Sequence, residues 1–128
     1  MNMMKWMASG LLLFVMAAPV WAQDVPLVSQ QQLLELQSSS AKPLLVDVRS
    51  ADEFKQGHVP GAINIPHDQV QTRLSEFGAK DRDIILYCHS GRRSGLASQV
   101  LSAAGFSHVR HLEGDMMGWQ AKQRPIEK

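Results

Sequence analysis

The stretch "DIILYCHSGRRSG" (residues 83–95) joins an apolar run to a polar, glycine-containing loop and holds the only cysteine of the chain, Cys88. The run "DIILY" is typical of a β-strand that is covered on both faces. The sequence after the loop, "SGLASQVLSAAG" (residues 94–105), predicts a helix that ends at Gly105. We therefore expect Cys88 at the carboxyl end of a strand, the edge at which parallel α/β sheets bind ligands.

Apolar runs and turn signals in the rest of the chain predict an alternation of strands and helices. Three further strands are predicted, at "LLVDV" (44–48), "GAINIP" (61–66) and "HVRHL" (108–112). Helices are predicted after Ser29, after Ser50, in "HDQVQTRLSEFG" (67–78) and in "MMGWQA" (116–121). Strands that alternate with helices indicate an α/β domain in which helices wrap a central parallel sheet.

Local side-chain patterns support the individual helices. Ser29 and Gln32 have the spacing of a capping box, which predicts that a helix starts there. Ser50 and Gly57 have the positions of the first and last caps of a short helix. The apolar faces predicted for the two remaining amphipathic segments are Val70, Leu74 and Phe77 in one, and Leu96, Val100 and Leu101 in the other.

The chain of 128 residues is long enough for one domain and too short for two independent cores. Residues 1–22 combine Lys5, an apolar centre, and Val20 and Ala22 before a cleavage position, which predicts a secretory signal peptide. The remaining single domain, residues 23–128, has 12 basic and 12 acidic residues. This balance, without any basic run, argues against binding to nucleic acid. We expect a soluble periplasmic monomer that has no membrane contact after cleavage.

An unpaired cysteine is unusual in an exported domain, because exported domains use their cysteines in disulfide pairs. Cys88 is either a small buried apolar residue or a reactive thiol, and its loop favours the second interpretation. Gly91 permits a tight turn in which backbone N–H groups point inward, and the helix dipole adds positive charge there. Arg92, Arg93 and His89 contribute further positive or titratable charge, which stabilises a thiolate. Arg93 is expected to fold over the site, whereas Arg92 either binds the ligand or remains solvated.

Three motifs resemble those of one protein family. "CHSGRRS" (88–94) after "DIILY" resembles the active-site loop of rhodanese-type sulfurtransferases. "LLVDVRSADEFKQGHVPGAINIP" (44–66) is similar to the family's N-terminal signature. "LEGDMMGWQAKQRPI" (112–126) is similar to its closing segment, although Asp115 stands where a glycine is common. The resemblance spans residues 27–126.

The resemblance implies a rhodanese-like parallel sheet of about five strands and a sulfur-transfer reaction. Cys88 would attack the outer sulfur of a donor such as thiosulfate, hold that sulfur as a persulfide, and pass it to cyanide or a thiol. Arg93, and less directly Arg92, would bind the anionic donor and stabilise the departing sulfite. No cofactor and no metal are implied. The backbone amides that would hold the outer sulfur belong to His89, Ser90, Gly91, Arg92, Arg93 and Ser94.

The polar residues of the second motif are expected to be structural. Asp47 and Arg49 follow a buried strand, so we expect a charge-assisted hydrogen bond that joins two loops. Glu53 is expected to pair locally. His58, in "GHVPGA", is interpreted as a hydrogen-bonded turn residue and not as a catalytic base.

Two alternative functions remain open. Cysteine phosphatases and arsenate reductases also bind an anion in a cysteine loop, but their arginine comes one position later, where this chain has Ser94. The second alternative is a non-enzymatic persulfide carrier or thiol-sensing module that hands sulfur to a partner protein. Because the chain has no second cysteine, an external acceptor is required in either case. The positive charge of the loop favours thiosulfate over mercaptopyruvate as the donor.

Overall fold

Five parallel strands form the central sheet of the computed structural model, which describes Gly10 and residues 25–128. The predicted signal peptide, residues 1–22, lies outside the described residues apart from Gly10. In chain order the strands are β1 (Leu27–Val28), β2 (Leu44–Asp47), β3 (Ile63–Asn64), β4 (Ile84–Tyr87) and β5 (Val109–Leu112). Across the sheet the order is β1-β5-β4-β2-β3, and every neighbouring pair is parallel. The predicted α/β class and parallel sheet are confirmed.

Helices pack on this sheet, and the two with predicted N-terminal caps begin at those caps. The α-helices of the described residues are α1 (Gln30–Ser38), α2 (Ala51–Gln56), α3 (Arg92–Ala103) and α4 (Asp115–Ala121). Ser29 Oγ accepts the Gln32 N–H at 3.1 Å, and Ser50 Oγ accepts the Glu53 N–H at 3.2 Å. Each pair closes a capping box, which satisfies N–H groups that a helix start leaves free. Within the described residues, none of the helices has the length and apolar character needed to cross a bilayer.

The segment after β3 forms two 3₁₀ helices, His67–Thr72 and Leu74–Phe77, instead of the single helix predicted. Arg73 separates them with a φ of −121°, and its N–H bonds the carbonyl of Val70 at 3.1 Å. This three-residue spacing is that of a 3₁₀ turn. Val70 and Phe77 are fully buried, as predicted. The apolar pattern therefore identified the buried face, but in so short a segment it did not determine the number of residues per turn.

Helix α3 buries only part of the predicted apolar face: Leu101 is buried and Val100 packs against the core, but Leu96 does not. The helix begins at Arg92, and its buried residues follow the spacing of three and four that marks one side of a helix. Leu96 lies off this side and is 45% exposed, so its predicted place in the apolar stripe is wrong. Small side chains on the buried face allow α3 to approach the sheet closely. The buried residues of α3 are Ser94, Ala97, Ser98 and Leu101.

Two apolar clusters form the core, and strand β4 contributes to both. Alternation along β4 sends Ile84 and Leu86 into one cluster and Ile85 and Tyr87 into the other. Cys88 continues the alternation and belongs to the first cluster, which also contains the buried apolar residues of α3. Since β4 is the middle strand of the sheet, Cys88 leaves the sheet at its centre, at the carboxyl edge.

Candidate active site

Cys88 follows β4 directly and has 1% of its surface exposed. The start of α4 holds its backbone from the other side. The Cys88 N–H donates to Asp115 Oδ1 at 3.0 Å, and the Cys88 carbonyl accepts the Met116 N–H at 2.9 Å. The Met117 N–H donates to the His89 carbonyl at 3.1 Å. These three hydrogen bonds fix the first two residues of the loop against a segment that is distant in sequence.

The loop between β4 and α3 wraps around the cysteine sulfur. The Gly91 N–H donates to Cys88 Sγ at 2.9 Å, and the thiol donates to Ser94 Oγ at 3.5 Å. The Ser94 hydroxyl donates to the Gly91 carbonyl at 3.0 Å, which closes the turn. Gly91 has a φ of 109°, in the left-handed region that a residue with a Cβ avoids. An amide and a helix N-terminus beside the sulfur both stabilise negative charge on it.

A pocket of about 440 Å³ opens at the loop, and all but two of its lining residues come from the predicted set. The additions are His67, which comes shortly after β3, and the exposed side chain of Leu96. Sequence reasoning missed His67, although its position after a predicted strand places it at the same sheet edge as Cys88. No group of three or more His, Cys, Asp or Glu side chains in the described residues is arranged to hold a metal ion. The lining residues are His67, Cys88, His89, Ser90, Arg92, Arg93 and Leu96.

Arg93 lines the pocket, and its guanidinium group is bound by Glu53 of α2. Arg93 Nη1 and Nη2 donate to the two carboxylate oxygens of Glu53 at 2.6 and 3.0 Å. These hydrogen bonds lower the pKa of Glu53 to about 2 and raise the pKa of Arg93 above its ordinary value. Glu53 also accepts from Ser50, so the predicted local pairing is present but is only part of its role. Arg92 is exposed and makes no ion pair within residues 25–128.

The remaining polar residues of the second motif are structural, as predicted. Arg49 Nη2 donates to Asp47 Oδ2 at 2.7 Å and to the Gly57 carbonyl at 2.8 Å, and this buried pair connects the ends of β2 and α2. His58 Nδ1 lies 2.8 Å from the Phe54 carbonyl, and the two rings stack with their centroids 3.6 Å apart. None of these side chains lines the pocket at Cys88.

The sheet order, the cysteine at the end of the central strand and the loop around its sulfur together define a rhodanese-like domain. The family model described as "Rhodanese-like domain" matches residues 29–122, and the chain belongs to this family. The family membership that the three sequence motifs indicated is therefore confirmed.

The chain is similar to several proteins that are described as sulfurtransferases. It is 34% identical over 99 residues to a sulfurtransferase of Allochromatium vinosum, an alignment that covers 77% of this chain and 92% of the relative. It is 40% identical over 70 residues to the thiosulfate sulfurtransferase PspE of Escherichia coli, covering 54% of this chain and 67% of PspE. Among solved structures, the human single-domain sulfurtransferase TSTD1 superposes with a TM-score of 0.70 at 28% identity, covering 77% of this chain and 98% of TSTD1.

Proposed function

We propose that this protein is a thiosulfate sulfurtransferase that carries the transferred sulfur on Cys88 as a persulfide. The observation that carries the proposal is the position of Cys88 Sγ, which accepts the Gly91 N–H at 2.9 Å beside a pocket lined by Arg92 and Arg93. Permanent positive charge at the mouth of the pocket suits an anionic sulfur donor. The related PspE of Escherichia coli is a thiosulfate sulfurtransferase, which supports the same donor.

The first half of the proposed reaction loads the cysteine. The Cys88 thiolate attacks the outer sulfur of thiosulfate, a new S–S bond forms, and the S–S bond within thiosulfate breaks. The electron pair of the broken bond leaves with sulfite. The Gly91 amide and the N-terminus of α3 lie beside the sulfur, which is negatively charged before and after this step. Hydrogen-bond donors that are already in place stabilise this charge effectively, because they do not have to reorganise during the reaction.

The second half of the reaction unloads the cysteine. Cyanide or a thiolate attacks the outer sulfur of the persulfide, the Cys88 S–S bond breaks, and the electron pair returns to Cys88 Sγ as the thiolate. Cyanide leaves as thiocyanate, and a thiol acceptor leaves as its own persulfide. The chain contains no second cysteine that could complete this step internally, so the acceptor binds from solution through the open pocket.

The contacts of Arg93 support a role at the pocket wall. The bidentate bond to Glu53 holds the guanidinium group at the pocket wall in one orientation. Arg92, exposed and without an ion pair among the described residues, keeps its full charge for an incoming anion. We assign donor binding and stabilisation of the departing sulfite to Arg93, with Arg92 as the outer contact.

The test is the intact mass of the purified protein before thiosulfate, after thiosulfate and after subsequent cyanide. Because Cys88 is the only cysteine, every sulfur adduct reports on this residue alone. We expect a gain of about 32 Da for one persulfide sulfur, lost again on addition of cyanide. Cys88→Ser should show no gain and should unfold at the same temperature as the wild type within a few degrees. A wild-type protein that gains no mass at any thiosulfate concentration contradicts the proposal.

Acceptor competition separates the enzyme from a persulfide carrier. An enzyme of the proposed kind turns over repeatedly with cyanide or a small thiol, and a carrier keeps its persulfide in their presence until a particular protein is added. Stable persulfide in excess small thiol would favour the carrier. We expect repeated turnover with cyanide, because the pocket beside Cys88 is open to solvent.

We also propose that the protein is exported to the periplasm and acts there as a soluble monomer. The support is the charged start, apolar centre and small residues of positions 1–22. Mass spectrometry of the protein recovered from a periplasmic extract should give a first residue of Gln23. Recovery of the full chain from the cytoplasm would contradict this part of the proposal.

A further inference from the structure

Asp115, the first residue of α4, occupies an unusual backbone conformation. Its φ is 53°, in the left-handed region, and it directly follows Gly114, whose φ is 79°. Residues other than glycine adopt this region rarely, and aspartate is one of those that tolerate it best. An aspartate in a left-handed position that glycine fills more easily indicates that the side chain has a role there.

The Asp115 carboxylate is bonded to the start of the Cys88 loop and faces Gly91 within it. Oδ1 accepts the Cys88 N–H at 3.0 Å. Oδ2 lies on the Gly91 side, 3.4 Å from the point that a Cβ on Gly91 would occupy. The side chain is mostly buried, since Asp115 is 8% exposed. It is therefore bonded to the residue that carries the reactive sulfur and lies near the residue whose amide binds that sulfur.

No cation within the described residues forms an ion pair with the Asp115 carboxylate. His111 of β5 is close enough to interact with it electrostatically, but burial lowers the pKa of His111, so the imidazole is uncharged at neutral pH. The Nε2 atom of His111 is buried without a hydrogen-bond partner. The carboxylate therefore has no cationic partner among the described residues and lies next to the backbone of the reactive cysteine.

The charged groups around Cys88 act in opposite directions. Arg92 and Arg93 at the pocket, His67 and His89 when protonated, and the α3 N-terminus favour negative charge on the sulfur. Two acidic side chains that bond the loop oppose it: Glu53, which is paired with Arg93, and Asp115, which accepts from the Cys88 N–H and has no such partner among the described residues. The effects of its hydrogen bond and of its charge can be separated by Asp115→Asn, because asparagine keeps the acceptor oxygen and removes the charge.

We propose that Asp115 is a positioning residue that fixes the Cys88 loop through the Cys88 amide while its charge reduces the population of reactive thiolate. The effect of Asp115 on catalysis depends on the proposed sulfur-transfer reaction. In the resting protein Asp115 restrains the reactivity of an unpaired thiol, which is attacked by oxidants and alkylating agents as the thiolate.

The test is the rate of Cys88 alkylation by iodoacetamide between pH 5 and pH 10, followed by intact mass. Asp115→Asn should be alkylated about tenfold faster than the wild type near pH 6, the effect of one charge at short range through a partly screened medium. The two rates should converge at high pH, where both thiols are ionised. A purely structural role would change the high-pH rate instead. Asp81→Asn, an equal charge change at an exposed site before β4, is the matched control and should follow the wild-type profile.

The outcome is decisive in each case. Identical profiles for Asp115→Asn and the wild type overturn the charge role. If Asp115→Asn does not fold, Asp115→Gly replaces it, since glycine relieves the left-handed conformation. Asp115→Gly should also be alkylated faster near pH 6, and an unchanged profile overturns the proposal. Alkylation does not require sulfur transfer, so a failed thiosulfate test and a failed alkylation test are distinguishable.

Discussion

Replacing Glu53 by glutamine isolates the ion pair that holds Arg93 at the pocket. The Glu53 carboxylate binds the Arg93 guanidinium at 2.6 and 3.0 Å, and the same residue closes the capping box of α2 with Ser50. Glutamine keeps the capping box, as Gln32 does at the start of α1. Glu53→Gln therefore removes the charge and the bidentate bond while it leaves the start of the helix intact.

The size and the sign of the effect follow from the pKa of Glu53, which hydrogen bonds from Arg93, and to a smaller extent from Ser50, lower from 4.5 to about 2. At about 1.4 kcal/mol per tenfold change in acidity, a fully buried pair with this pKa would contribute ~3 kcal/mol. The two side chains are 27% and 35% exposed, so solvent screening reduces the expected contribution to about 1 kcal/mol. Because the folded pKa lies below the unfolded one, this stability is complete above pH 4.5 and is lost as the pH falls through about 2.

Urea unfolding of wild type and Glu53→Gln at several pH values measures this contribution. We expect a difference in unfolding free energy of about 1 kcal/mol at pH 7 that decreases below pH 4 and is nearly absent at pH 2. Glu76→Gln is the matched control, since Glu76 forms a similar pair with Arg73 at a more exposed site and does not line the pocket. A difference that does not change with pH, or an equal effect of Glu76→Gln, would refute the reasoning.

Two further substitutions test the loop and the pocket by activity. Gly91→Ala should destabilise the protein by about 1–2 kcal/mol, because its φ of 109° is strained for a residue with a Cβ, and should slow persulfide formation by displacing the amide on Cys88 Sγ. Gly95→Ala, where an added Cβ meets nothing within 4 Å, is its control and should stabilise helix α3 or leave it unchanged. Arg93→Ala should raise the KM for thiosulfate about tenfold with little loss of fold, as expected for one lost charge-assisted contact. An unchanged KM in steady-state kinetics would remove Arg93 from donor binding.

Local sequence patterns did not predict the contacts between elements that are distant in the chain. The register of β2 and β4 and the packing of α2 bring Glu53 to Arg93, and α4 brings Asp115 to Cys88, across 40 and 27 positions of the chain respectively. The sequence marked Asp115 only as a departure from a common glycine. Its contact with Cys88 depends on how separate elements pack, which no local spacing encodes.

The sequence by itself determined the parts of this protein that depend on near neighbours. Apolar runs identified four of the five strands and missed β1, and caps identified the starts of α1 and α2, because these features depend on residues two to four positions apart. The loop from Cys88 to Ser94 marked the candidate site. Only the tertiary structure decided that Leu96 is exposed and that His67 joins the pocket. Burial and side-chain pairing depend on which helices and strands pack together, and this packing is not encoded in the residues next to each position.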